Sequence, residues 1–66
     1  MEIELNGAPH AVADNQNVQE LIATLDLANK SLAVAINREI VPRHLWSERT
    51  LKPRDRVDIV RAIGGG

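Results

Sequence analysis

The chain closes on Ile63-Gly64-Gly65-Gly66, and three of its four glycines stand in that run. Glycine is normally placed where the backbone needs a positive φ or passes close to another group. At a chain end no turn makes that demand, so the run points to a partner protein. A Gly-Gly carboxylate carries no side chain and can be threaded through a narrow channel into a partner's active site. Three extended residues reach about 10 Å at ~3.3–3.6 Å each. Chemistry at Gly66 would then be done to the chain rather than by it. The competing reading is an idle tail, since termini are often disordered.

The rest of the composition narrows the choice. Sixty-six residues make one small core, and a chain of this size buries only about 60% of its unfolded surface. Cysteine is absent, which removes disulfides, thiolate metal sites and a cysteine nucleophile. Trp46 is the one aromatic residue, so there is no platform for stacking bases. A net charge of −1 argues against phosphate neutralisation, hence against nucleic acid. No apolar run is long enough to span a membrane, and without a charged n-region before an apolar h-region no signal peptide is expected. The expected location is the cytoplasm. His10 and His44, without cysteine or paired carboxylates, predict no metal site. No set of nucleophile, base and orienting group suggests an intrinsic enzyme.

Charge is unevenly spread. Residues 1–30 hold five acids and one base, whereas residues 31–66 hold seven bases and four acids. One reading is a set of solvated faces. The other is a basic surface near the tail, formed by Arg49, Lys52, Arg54, Arg56 and Arg61, that steers an acidic partner.

These features need a scaffold, and the patterning supplies one. Ile3 and Leu5 alternate with Glu2, Glu4 and Asn6, a strand with one wet face. Asn6-Gly7 is a hairpin signal that predicts a returning strand over Ala8 to Ala13. Asn17 and Glu20 form a capping box with asparagine at the cap. Val18, Leu21, Ile22 and Leu25 follow as a helical stripe, predicting a helix over 18–27 with Asn29 as a left-handed terminator. Leu32, Val34 and Ile36 give a third strand, whose alanine-bearing second face should be more buried than that of the first. A turn at Asn37-Arg38-Glu39 leads to a short strand at Ile40-Val41, stopped by Pro42. Residues 43 to 50 read as an irregular crossover, Lys52-Pro53-Arg54-Asp55 as a turn, and Arg56 to Ile63 as the last strand.

Two strands, a helix and then more strands fit an α+β layer arrangement, a mixed sheet with one main helix packed on one face. The first and last strands should pair at the sheet centre, as in the β-grasp (ubiquitin-like) fold. The expected organisation is a β-grasp domain over 1–63 followed by a flexible glycine tail, 64–66.

Ala35-Ile36-Asn37, Ile40-Val41-Pro42-Arg43, Trp46, Asp55-Arg56-Val57 and Ala62-Ile63-Gly64-Gly65-Gly66 together resemble the ThiS family, the sulfur carriers of thiamine biosynthesis. The resemblance runs along the whole chain, and Ile-Val-Pro-Arg-x-x-Trp is its most specific stretch. One departure is local: the turn before the last strand usually carries Gly-Asp in the family, and reads Arg54-Asp55 here. The resemblance implies that Gly66 is the reactive C-terminus. An ATP- and Mg²⁺-using adenylyltransferase, ThiF or a MoeB-like homologue, would join its carboxylate to AMP. A persulfide from a cysteine desulfurase or a rhodanese-like protein would convert it to a thiocarboxylate (1-thioglycine). Thiazole synthase, ThiG, would receive the sulfur. The carrier would be a co-substrate rather than an enzyme, with no cofactor of its own. Ile63, Gly64, Gly65 and Arg61 are the candidate partner contacts.

Alternatives stay open at this level. Gly-Gly tails also occur in molybdopterin sulfur carriers and in ubiquitin-like modifiers, and a β-grasp module can bind partners with an idle tail. Trp46 is expected in the core or at its rim, and Asn37 in the turn. Arg43 is expected to pair with an acid, on this chain or on the adenylyltransferase.

Overall fold

A computed structural model of the protein describes residues 1–27 and 31–61. The elements run β1 (Glu2–Leu5), β2 (Ala8–Ala11), α1 (Val18–Thr24), β3 (Leu32–Ile36), β4 (Glu39–Ile40), the 3₁₀ turn η1 (Arg43–Leu45) and β5 (Arg56–Arg61). The five strands form one sheet in the order β2-β1-β5-β3-β4. β1 and β5 pair in parallel at its centre, and the other neighbours are antiparallel. This is the β-grasp arrangement of the sequence reading.

Both hairpins turn on two residues with positive φ, the geometry that matches strand twist. Asn6 and Gly7 have φ of 49° and 84°, and Asn37 and Arg38 have 52° and 71°. The capping box is present: the Glu20 amide donates to Asn17 Oδ1 at 2.8 Å, and the Asn17 amide donates to Glu20 Oε1 at 3.0 Å. The remaining N-terminal donors of α1 are met by the crossover, Val18 N–H by the Arg49 carbonyl and Gln19 N–H by the Trp46 carbonyl. Residues 43 to 50 are therefore more ordered than an irregular crossover, because helix ends require partners for their free amides.

One buried cluster joins the helix to one face of the sheet. Val18, Leu21 and Ile22 meet Ile3, Val34, Ile36 and Val57, with Val12, Trp46 and Leu51 closing the sides. The Trp46 indole N–H donates to the Val41 carbonyl at 2.9 Å, so its burial leaves no polar group unmet.

Several boundaries differ from the sequence reading. β2 ends at Ala11, although the Val12 amide still donates to the Met1 carbonyl. The helix ends at Thr24, not Leu27. Asp26 takes the left-handed conformation at φ 59°, with its amide on the Ala23 carbonyl and the Leu27 amide on the Ile22 carbonyl. This is a Schellman termination, and Leu27 folds back onto the core. The expected terminator Asn29 lies outside the described residues, as does the end of the last strand at Ala62 and Ile63. On the second face of β3, Ala35 is half-buried but Ala33 is exposed, since among the described residues no layer covers that side. The proposed 64–66 tail also lies outside the described residues.

Candidate functional site

The candidate site is the root of the glycine run, where β5 delivers the chain. β5 is the central strand, yet β1 ends beside Val57, its last parallel partner being Leu5. The odd-numbered residues of β5 turn their main-chain groups toward β1. Asn6 takes over where β1 stops. Its amide donates to the Val57 carbonyl at 2.9 Å, and its side-chain Oδ1 accepts from the Ile59 amide at 2.8 Å. Past Asn6 the Ile59 carbonyl and the Arg61 amide have no partner on that side among the described residues. On the other side β3 continues to the end, pairing Leu32 with Arg61. The strand reaches its last described residue paired on one edge and open on the other.

The opposite end of β5 is tied down. Asp55 is 5% exposed and its carboxylate serves three loops. It accepts from Asn37 Nδ2 at 3.1 Å, from the Lys52 amide at 2.9 Å and from Arg49 Nη2 at 3.3 Å. Asn37 also accepts from the Arg56 amide at 3.0 Å and donates its own amide to the Arg56 carbonyl at 2.8 Å. Asn37 therefore serves the turn, as expected, and fastens it to β5 as well.

The basic surface foreseen around the tail does not form as one patch. Arg49 is committed to Asp55 and to the Thr50 carbonyl, and Arg56 pairs with Glu4 at 3.3 Å. Lys52, Arg54 and Arg56 lie at the start of β5, five residues or roughly 16 Å from Arg61 at ~3.3 Å per residue. Arg61 alone of the five is at the exit, and it is exposed. Ile63, Gly64, Gly65 and Gly66 lie outside the described residues. The face of the sheet away from the helix carries an apolar strip beside β5, formed by Val60 (62% exposed) and Ala33, its cross-strand partner.

Arg43 lies with its guanidinium carbon 5.0 Å from the Trp46 ring centroid, a cation–π contact. His44 is exposed and His10 half-buried. Among the described residues no three metal-ligating side chains come together, and no helix is long and apolar enough to cross a membrane. Sequence reasoning passed over Asp55 as a hub and Asn6 as a latch. A turn aspartate among bases reads as solvated, and the partner of Asn6 is 53 residues away.

Comparison with known proteins places the chain in a family. The profile of the ThiS family matches residues 3–66. The chain belongs to the ThiS family. The sulfur carrier protein ThiS of Escherichia coli (strain K12) is 35% identical over 66 residues, covering 100% of both chains. A crystal structure of the thiamine biosynthesis protein ThiS from Geobacter metallireducens superposes with a TM-score of 0.86 at 33% identity, again covering 100% of each chain. A thiazole synthase of Magnetococcus marinus is 33% identical over 66 residues, which is all of this chain and 20% of that protein. A ThiS-like segment thus stands within a chain named for thiazole synthesis.

Proposed function

We propose that this ThiS-family protein carries sulfur for thiazole formation in thiamine biosynthesis, as a co-substrate and not as an enzyme. The observation that carries the reading is full-length similarity to sulfur carriers that extends through the Gly64-Gly65-Gly66 end. The chemistry follows from the group at that end. A carboxylate resists attack, because it is negatively charged and oxide cannot leave. Transfer to AMP, with release of pyrophosphate from ATP held by a ThiF- or MoeB-like enzyme, makes a mixed anhydride at Gly66. The terminal sulfur of a persulfide then attacks the acyl carbon and AMP departs. A thiol then attacks the donor's sulfur in this acyl disulfide and becomes joined to it as a new disulfide, and the thiocarboxylate leaves. Thiazole synthase is the proposed acceptor, and the similarity to a thiazole synthase chain supports that choice.

The geometry of the β5 exit suits this use. The open edge at Ile59 and Arg61 lets a partner read the chain by main-chain hydrogen bonds as it continues into an extended tail. Val60 and Ala33 offer an apolar landing strip beside it. Arg61 adds steering that weakens with salt. The absence of cysteine fits as well, since an internal thiol would attack the activated end.

The test removes Gly65 and Gly66 and asks whether the shortened chain restores thiamine synthesis in a strain lacking its carrier. The expected outcome is no growth from a protein that remains folded. Gly65→Val should bind the adenylyltransferase yet release no pyrophosphate, because a side chain there meets the channel wall. Growth supported by the truncated chain contradicts the proposal.

A further inference from the structure

Tail chemistry leaves the β4 edge unused. Of the three large apolar side chains most exposed among the described residues, two, Ile40 at 72% and Leu45 at 38%, line one groove. It has a volume of about 380 Å³ and is also lined by Ile36, Val41, Glu39, Glu48 and Arg49. The two glutamates have no cationic partner among the described residues, and the charge of Arg49 in the groove wall is matched by Asp55. The groove is therefore apolar with a net negative border. β4 is also an edge strand. Glu39 pairs with Ile36, and the Val41 amide donates to the Val34 carbonyl at 2.8 Å. By antiparallel alternation the main chain of Ile40, between them, faces away from β3. Ile40 thus offers one N–H and one C=O to a passing strand.

We propose that this edge is a second docking site, separate from the tail, for an extended segment of a partner protein. The segment carries an apolar residue with a lysine or arginine two positions away. The pattern follows from the geometry. A strand added at Ile40 places alternate side chains on the groove side. One of them fills the space between Val41 and Leu45. Its neighbours two positions along reach the Glu39 and Glu48 carboxylates. The groove lies at the Ile36 end of β3, and the cross-strand partner of Ile36 in β5 is Val57. From Val57 to Arg61 is four residues, roughly 13 Å at ~3.3 Å each. A partner held at the edge leaves the tail root open, and the two contacts can be made together. Tail chemistry is not needed for this proposal.

The experiment is an amide-shift titration of the ¹⁵N-labelled chain with two blocked peptides, Lys-Thr-Leu-Thr-Lys and Glu-Thr-Leu-Thr-Glu. At low salt the basic peptide should shift the Ile40, Leu45 and Glu48 amides. It should bind about fivefold or more tightly than the acidic one, from two exposed charge pairs. High salt should bring that ratio toward one. Glu39→Lys combined with Glu48→Lys should reverse the preference. Both side chains are exposed, and unchanged Val18 and Val57 amides will show that the fold is intact. A chain lacking Gly65 and Gly66 should titrate identically, which separates this proposal from the sulfur-carrier reading. Equal binding of the two peptides, shifts confined to other surfaces, or a preference unmoved by charge reversal would overturn it.

Discussion

The two ends of β5 are held by different means. At the start, a buried carboxylate gathers the β3–β4 turn, the crossover and the Lys52 turn onto the strand. At the finish, one side chain from the first hairpin replaces a missing strand, and beyond it one edge has no partner among the described residues. The anchoring bonds are thus concentrated at the end remote from the tail. In the proposed function the carrier is gripped near its tail by successive enzymes and must not lose its fold. Placing the polar hub at Asp55 about 20 Å from the exit at Arg61, six residues at ~3.3 Å, separates those two requirements.

The sharpest way to break this contrast is Asp55→Ala. It strips partners from Asn37, Arg49 and the Lys52 amide, and should cost about 3 kcal/mol. A domain of this length has roughly 3–10 kcal/mol in all, so urea unfolding should show a large fall in midpoint. Stability equal to the parent would mean that the start of β5 is not the anchor.

Asn6 probes the other end and should matter less. Asn6→Gly keeps the left-handed turn and removes only the bond to Ile59, at about 1 kcal/mol. Asn6→Ala adds the left-handed penalty and should cost about 2 kcal/mol. Hydrogen exchange sharpens the comparison: in Asn6→Gly the Ile59 amide should exchange faster while the Val34 amide keeps its protection. Uniform loss of protection would show that Asn6 belongs to the global fold and not to the exit.

The smallest expected effect has the opposite sign. Arg54 sits at φ 68° in the third position of the Lys52–Asp55 turn, after Pro53, where a type II turn favours glycine. This is the position at which the sequence departs from the Gly-Asp usual in the family. Arg54→Gly should stabilise the domain by a few tenths to about 1 kcal/mol, relief of the left-handed conformation being offset in part by greater freedom when unfolded. A destabilised Arg54→Gly protein would show that the arginine side chain holds the turn.

The contrast between the ends also marks what was legible in the sequence. Periodicity and turn chemistry are local, so the Asn6-Gly7 and Asn37-Arg38 hairpins, the Val18 stripe and the Asn17–Glu20 box could all be read directly. The helix stop could not, because Asp26 and Asn29 both tolerate a left-handed φ and the choice falls to burial of Leu27. Order in residues 43 to 50 comes from carbonyls of Trp46 and Arg49 that cap α1, and carbonyls leave no trace in residue type. The basic patch failed for a related reason: charge counts ignore direction, and five residues of strand carry Arg56 away from the exit. The proposed reactive end is a reading of Gly64-Gly65-Gly66 in the sequence alone, since its meaning lies in missing side chains and not in a contact.

The central claim is that Gly66 is the atom carrier and β5 its mount. Intact-mass analysis tests it most directly, after incubation with ATP, Mg²⁺, the adenylyltransferase and a persulfide donor followed by a reductant. The account predicts a gain of about 16 Da, one oxygen exchanged for sulfur, localised to the C-terminal peptide and absent without ATP. An unchanged mass, when pyrophosphate release shows the enzyme to be active on another ThiS-family carrier, would contradict it. So would a sulfur adduct mapped to any residue other than Gly66.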